Sequence, residues 1–246
     1  MYGHAATIEA RMGSTRLRGK VLSELVDGRT MLDVIYDRAS LSKKLEKIIV
    51  VTSTNPADDE IVNHCLLRGY PIYRGSEENV LDRVSKACKH YSIKNLTRLT
   101  GDNPLIDGQL IDAVINWFDI GKYDLVTTTH MSHSEHWRAK RTFPRGVSVL
   151  TVRVSALIKS NELTNNPIDC ENVGFYIYDR PDQYKLGAFA AQGEFSKWKH
   201  PELRFTVDTP EDMELIKRIF SHFKDDKSFS FSTEKAINLI LFLNNS

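Results

Sequence analysis

The sequence predicts an α/β protein built on a doubly wound, largely parallel sheet, and three observations carry that expectation. Short apolar runs such as "KIIVVTS" at residues 47–53 alternate with segments of helical period. The helical segments open on capping signals, as in "TNPADDE", and only a few residues separate each one from the next run. A chain of 246 residues, 41% hydrophobic and 26% charged, suits one large globular domain, 1–246, rather than a disordered polymer.

Candidate strands fall at residues 5–9, 47–53, 70–73, 95–101, 123–128, 147–152, 184–189 and 203–207. Between the first two, Met31, Leu32, Ile35 and Ala39 share one helical face. Asn55 and Pro56 ahead of Asp58, Asp59 and Glu60 read as N-cap, first-turn proline and acidic first turn, with Gly69 closing that helix. Val80, Leu81, Val84, Cys88 and Tyr91 form the stripe of a third helix, and Trp117 with Phe118 ends another. Pro210, Glu211 and Asp212 open a later helix, capped by Asp208 or Thr209. Residues 129–200 break this rhythm with polar loops and are expected to form an excursion. Its aromatic stretch "NVGFYIY" suits a packing or dimer surface.

Composition removes several function classes. Lys and Arg number 33 against 32 Asp and Glu, a net charge of +1, so no global field draws the chain to nucleic acid or an acidic membrane. Nor are the basic residues spread over a face with interleaved aromatics. The three cysteines, Cys65, Cys88 and Cys170, lack CxxC spacing and are odd in number, which argues against a disulfide framework or zinc site and suits a reducing cytoplasm. No apolar run is long enough to span a bilayer, and the first residues lack the pattern of a signal peptide.

The basic stretch "EARMGSTRLRGK" follows the first strand, where an open α/β sheet places its ligands. The dinucleotide pattern GxGxxG is absent. The P-loop pattern fails twice, because Gly13 and Gly19 are one residue too far apart and Val21 follows Lys20 where a hydroxyl is needed. What remains is a loop whose glycines let the backbone approach an anion. Arg11, Arg16, Arg18 and Lys20 are there to neutralise it, and Ser14 and Thr15 to donate hydrogen bonds. The competing reading is a solvated basic turn. Two aspartates, Asp102 in "RLTGDNPLID" and Asp208 in "RFTVDTPEDME", each follow a candidate strand and suit one Mg²⁺ between them. Either alone is as readily a helix cap.

The motifs "ARMGSTRLRGKVLSEL", "VVTSTNPADDEIV", "YRGSEENVLDRV", "RLTGDNPLID" and "FTVDTPEDMELI" resemble, in order and spacing, those of the spore coat polysaccharide biosynthesis protein F family. That family is similar to the cytidylyltransferases that activate 3-deoxy-manno-octulosonate and sialic acids with CMP. The resemblance implies a nucleotide-diphospho-sugar transferase fold and Mg²⁺-dependent transfer of CMP from CTP to an acidic sugar or other anionic acceptor. Pyrophosphate would leave, within surface polysaccharide or glycan biosynthesis.

By that resemblance Ala10, Arg11, Met12, Gly13, Ser14, Arg16 and Lys20 cradle the triphosphate, and Thr52 and Ser53 lie near the base or ribose. Arg74, Asp82 and Arg83 border the nucleotide, with a surface ion pair between Asp82 and Arg83 as the alternative. Asp102 and Asp208 hold Mg²⁺, and the working unit is a homodimer joined through the excursion. The acceptor's proton leaves either to a carboxylate or through coordination to the metal.

Departures from the family pattern fall mainly on the acceptor side. Glu9 stands where glutamine is common, and Arg18 where proline is. Arg145, Ser148 and Leu150 in "PRGVSVL" replace three acids, and Asn172 in "CENV" replaces a histidine. Arg145 and Asn172 are therefore candidate acceptor contacts, with an arginine suited to a phosphate, phosphonate or acidic sugar. A nucleotidyltransferase with a phosphate or phosphonate acceptor, or an inactive nucleotide-binding homologue, keeps the same motifs. A glycosyltransferase would carry an Asp-x-Asp motif, which is absent. His130, His133 and His136 have the spacing of one helical face, a transition-metal reading set against an exposed loop or contact with an anionic acceptor.

Overall fold

The computed structural model describes residues 1–13, 16–128, 141–226 and 229–244. The candidate residues Ser14, Thr15, His130, His133 and His136 lie outside these. The chain opens with β1 (Tyr2–Glu9), a basic loop, and a hairpin of β2 (Glu24–Val26) and β3 (Arg29–Thr30). Asp27 and Gly28 turn the hairpin, both at positive φ (47° and 72°), as a two-residue turn between right-twisted strands requires. Thr30 then starts α1 (Met31–Ser40) with a capping box, accepting from Asp33 N while Asp33 accepts from Thr30 N.

β4 (Lys47–Ser53) leads into a 3₁₀ turn at Pro56–Asp58, where Asn55 caps Ala57 N, and then α2 (Asp59–Arg68), which Gly69 closes at φ 71°. β5 (Ile72–Gly75), α3 (Val80–His90) and β6 (Ile93–Thr100) follow, then α4 (Gly108–Gly121), capped by Asp107. β7 (Leu125–Thr127), β8 (Leu150–Arg153), α5 (Val154–Leu163), α6 (Pro167–Glu171), α7 (Phe175–Tyr178) and β9 (Leu186–Ala188) come next. Thus residues 141–200 deliver two strands to the central sheet as well as loops. α8 (Pro210–His222), with Thr209 and Asp212 forming a second capping box, and α9 (Thr233–Asn244) complete the order.

Seven of these strands form one sheet in the order β5-β4-β1-β6-β8-β7-β9. β1, β4, β5 and β6 are parallel, as are β7 and β9, while β8 runs against both β6 and β7. Along β4 the side chains alternate between two buried clusters, Ile48 and Val50 in one, Ile49 and Val51 in the other. Leu32 of α1, Ile111 of α4, Ile216 of α8 and Ile237 of α9 join the first cluster; Leu81 of α3, Leu157 of α5 and Ile177 of α7 join the second. The sheet is therefore covered on both faces, as a doubly wound architecture demands.

Residues 203–207 differ from expectation. Leu203, Phe205 and Val207 are buried in strict alternation, yet the segment makes only an isolated bridge, Arg145 to Arg204. β8 already occupies the edge of β6, pairing Leu150 with Arg98, so this segment has no ladder to join. It crosses the end of β6 instead, where Val207 N donates to Asp102 O at 2.9 Å. "NVGFYIY" is packing surface, with Val173, Tyr176, Ile177 and Tyr178 buried. All three cysteines are free.

Among the residues of the first core layer lies Arg38, 1% exposed. Its guanidinium donates to the carbonyls of Ile106, Phe229 and Phe231 at 2.7, 2.6 and 2.9 Å, and stands 3.7 Å from Asp107. Burial lowers its pKa to about 10, against the pull of Asp107. No helix among the described residues is long and apolar enough to cross a membrane.

Candidate active site

At the carboxyl ends of β1 and β6 lies a cavity of about 310 Å³, whose lining includes Ala10, Arg11, Gly13, Arg16 and Lys20 from the opening loop. Arg83, Asp102, Asn172 and Asp208 face it from four other parts of the chain. The Val207 to Asp102 backbone bond ties the residue before Asp208 to Asp102, and both aspartates line the cavity. Gly101 makes the junction tight: its N donates to Glu9 O at 2.8 Å, and a Cβ there would stand 2.7 Å from that carbonyl.

The basic residues are arranged around Asp208. Lys20 Nζ lies 3.2 Å from its Oδ1 and donates to Val207 O at 2.5 Å; Arg16 reaches the same Oδ1 at 3.0 Å, and Arg204 reaches Oδ2 at 2.5 Å. Partial burial would raise the Asp208 pKa, but Arg204, Lys20 and Arg16 outweigh it and hold the carboxyl below its usual range. Arg11 pairs with Glu171 of α6 at 3.4 Å, and both line the cavity. Arg83 is buried; its Nη1 is fixed by Ser76 O at 2.5 Å, its Nε has no partner among the described residues, and burial lowers its pKa.

Asp102 accepts from Thr100 Oγ1 at 2.5 Å, and its second oxygen has no hydrogen-bond partner among the described residues. Two carboxylates on one rim, with no histidine or cysteine ligand among the described lining residues, form a hard oxygen donor set. That set fits Mg²⁺, which takes few protein ligands and completes its shell with water and phosphate oxygens.

Other sequence candidates sit elsewhere. Met12 is buried, and its N donates to Asp58 Oδ1 at 2.7 Å. Ser53 is bound to the same carboxylate through N at 3.1 Å and Oγ at 2.5 Å, while Thr52 is fully buried and its Oγ1 has no hydrogen-bond partner among the described residues. Arg74 is committed to Ser53 O, Asn55 O and Asp59. Asp82 pairs with Lys86 rather than Arg83, at 2.8 Å. Arg145 is exposed and lines no cavity described at this edge; its backbone N and O bond Leu203 and Phe205. Asn172 faces the cavity with its Nδ2 donating to Ile168 O.

Reasoning from sequence did not single out Glu9 or Arg98 as site residues, nor Asp58 as the organiser of the loop. Asp58 is 2% exposed and accepts from Met12 N, Ser53 N and Ser53 Oγ, so one carboxylate joins the opening loop to the end of β4. Its signal was present in the capping stretch "TNPADDE", where a carboxylate following a strand end has two possible duties.

A mostly parallel sheet with a basic, glycine-containing loop after its first strand and two aspartates across the same edge defines the nucleotidyltransferase fold. The chain matches the cytidylyltransferase family over residues 5–239 and belongs to it. It is 33% identical to the spore coat polysaccharide biosynthesis protein SpsF of Bacillus subtilis, over 87% of this chain and 84% of that one. It is 35% identical to an 8-amino-3,8-dideoxy-manno-octulosonate cytidylyltransferase of Shewanella baltica, over 70% and 73% of the two chains. A solved cytidylyltransferase from Leptospira borgpetersenii superposes with a TM-score of 0.86 at 29% identity, covering 100% of this chain and 96% of the other.

Proposed function

We propose that this cytidylyltransferase moves CMP from CTP to an acceptor carrying an anionic group, an acidic sugar above all, in surface polysaccharide or glycan assembly. The observation that carries the reading is the meeting of Arg11, Arg16 and Lys20 with Asp102 and Asp208 in one cavity at the strand ends. The acidic acceptor is supported by the octulosonate in the name of the Shewanella relative.

The acceptor oxygen attacks the α-phosphorus as the bond to pyrophosphate breaks, so the protein has to align the two and stabilise spreading negative charge. Lys20 and Arg16 already hold a carboxylate oxygen of Asp208 between them, and a phosphate oxygen offers the same chemistry with more charge. Arg11 and Glu171 are paired, and both side chains are about half exposed, free to exchange partners as the triphosphate enters. Asp102 and Asp208 would hold Mg²⁺, which when bound supplies charge neutralisation at the phosphates.

The test is a thermal-shift comparison of CTP, UTP, ATP and GTP with Mg²⁺, followed by pyrophosphate release over a panel of acidic sugars. Selective stabilisation by CTP that disappears in Asp102→Asn supports the reading. Equal or absent responses to the four nucleotides overturn it.

A further inference from the structure

Next to the phosphate cavity is a second, smaller one of about 80 Å³, and two residues, Arg98 and Thr100, line both. The hydroxyl-bearing residues Thr100, Thr127, Ser148 and Tyr178 and the apolar Leu150, Val173 and Phe175 contribute to its wall. Arg98 is the one charged residue among those that line it. A chamber of this kind accepts a small hydroxylated group and has a single point at which to recognise charge.

Arg98 is held for that task. Its Nε and Nη2 donate to the two oxygens of Glu9, both at 2.6 Å, a bidentate pair between neighbouring strands. The register explains the reach: Glu9 stands beside Thr100, so Arg98 lies one pleat back on the same face of the sheet. Nη1 has no hydrogen-bond partner among the described residues. Burial disfavours the charged guanidinium, but the Glu9 carboxylate outweighs this and raises the Arg98 pKa.

Arg145, the arginine that the sequence offers for an anionic acceptor, lies outside both cavities. We propose that Arg98, presented by Glu9, receives the acceptor's carboxylate through Nη1 at the boundary between the phosphate cavity and the hydroxyl-lined chamber. This placement rests on the cytidylyl-transfer reading and makes Arg98 a specificity-determining residue for acidic acceptors. An acceptor anchored there lies between the triphosphate cations and the hydroxyls, so its charge and the alignment of its attacking oxygen are read together.

Pyruvate, a minimal 2-oxo acid, serves as the probe, titrated into the full ¹⁵N-labelled chain with and without saturating CTP and Mg²⁺. The readout is the Nε–Hε signal of Arg98, assigned by its loss in Arg98→Lys and its displacement in Glu9→Gln. The expected result is a saturable shift of that signal with pyruvate and none with acetone, its neutral counterpart without the acid group. Pyruvate affinity should fall about tenfold in Arg98→Lys, the scale of one charge-assisted hydrogen bond, while the CTP-induced melting shift stays unchanged.

A signal that moves with CTP alone and ignores pyruvate would assign the guanidinium to the nucleotide and overturn the proposal. Silence towards both would leave Arg98 and Glu9 as a strap between strands and overturn it equally. Failure of CTP to bind would sink the cytidylyl-transfer reading, while the pyruvate response of Arg98 would still decide this one.

Discussion

Met12 and Asp58 are joined by a 2.7 Å hydrogen bond from backbone N to Oδ1, and this contact sets the course of the phosphate-facing loop. The same carboxylate takes both donors of Ser53, so the loop after β1 and the turn after β4 share one anchor. Removing it as Asp58→Ala leaves buried donors without an acceptor, at a cost of about 3 kcal/mol or more. Urea unfolding should show that loss, and CTP affinity should fall with it. Normal stability and normal CTP binding in this variant would mean the loop holds its shape unaided.

Lys20 and Arg16 touch the same oxygen of Asp208 but differ in setting: the Lys20 side chain is 13% exposed, that of Arg16 64%. A desolvated charge acts more strongly on a departing pyrophosphate than a solvated one. Lys20→Met should therefore lower kcat/KM by roughly 10²–10³-fold, as expected for loss of a preorganised donor. Arg16→Met should cost about tenfold, in keeping with a weaker, screened contact. Steady-state kinetics of pyrophosphate release would show the order, and a larger effect at Arg16 would contradict it.

Arg38 ties α1 to the carbonyls of Phe229 and Phe231, just ahead of α9, and stands near Asp107. Arg38→Met leaves the carbonyls of Ile106, Phe229 and Phe231 without their donor and Asp107 without its cation, and should destabilise the fold by about 3–5 kcal/mol, the range for breaking one side of a buried pair. Hydrogen exchange should rise first in α9. Unchanged protection of α9 would show that apolar packing alone seats it.

The carboxyl of Asp33 is fully buried and bonded by Thr30 N, His64, Tyr70 and Arg68. Burial works to raise its pKa, but these donors win, and the folded-state value lies below the ordinary one. The stabilisation from Asp33 is thus fully present above the unfolded value of about 4 and is lost as the pH falls through the lower folded value. Asp33→Asn should flatten the acid side of the stability curve, its deficit relative to the parent shrinking as the pH drops. A constant deficit at every pH would show that Asp33 acts only as a helix cap.

Much of the fold was legible because apolar periodicity and caps speak locally. The expected bounds of β4, the cap at Asn55 and the proline at the start of α8 coincide with the observed ones. Two features were not legible for physical reasons. Burial of alternate residues is the same for a strand running either way, so the reversal of β8 left no mark, and the same ambiguity made residues 203–207 look like a ladder strand. At the site, motif spacing brought Arg11, Lys20, Asp102 and Asp208 to attention but does not say which members of a motif turn inward, and Met12, Thr52 and Ser53 turn into the core. The Glu9–Arg98 pair joins two strands far apart in sequence, and only their register exposes it.

The reversal of β8 also determines where this protein can change. Because β8 runs against β7, the connection between them starts and ends at one edge of the sheet, where Thr127 stands opposite Leu150. Its two ends are fastened together, Thr128 N to Val149 O at 3.0 Å and Val149 N to Thr128 Oγ1 at 2.9 Å. Loop-closure entropy grows only slowly with length, so this clasp can hold β8 to β7 across connections of different length. A change in the number of residues between Thr128 and Val149 therefore leaves the pairing of β7 with β8 in place.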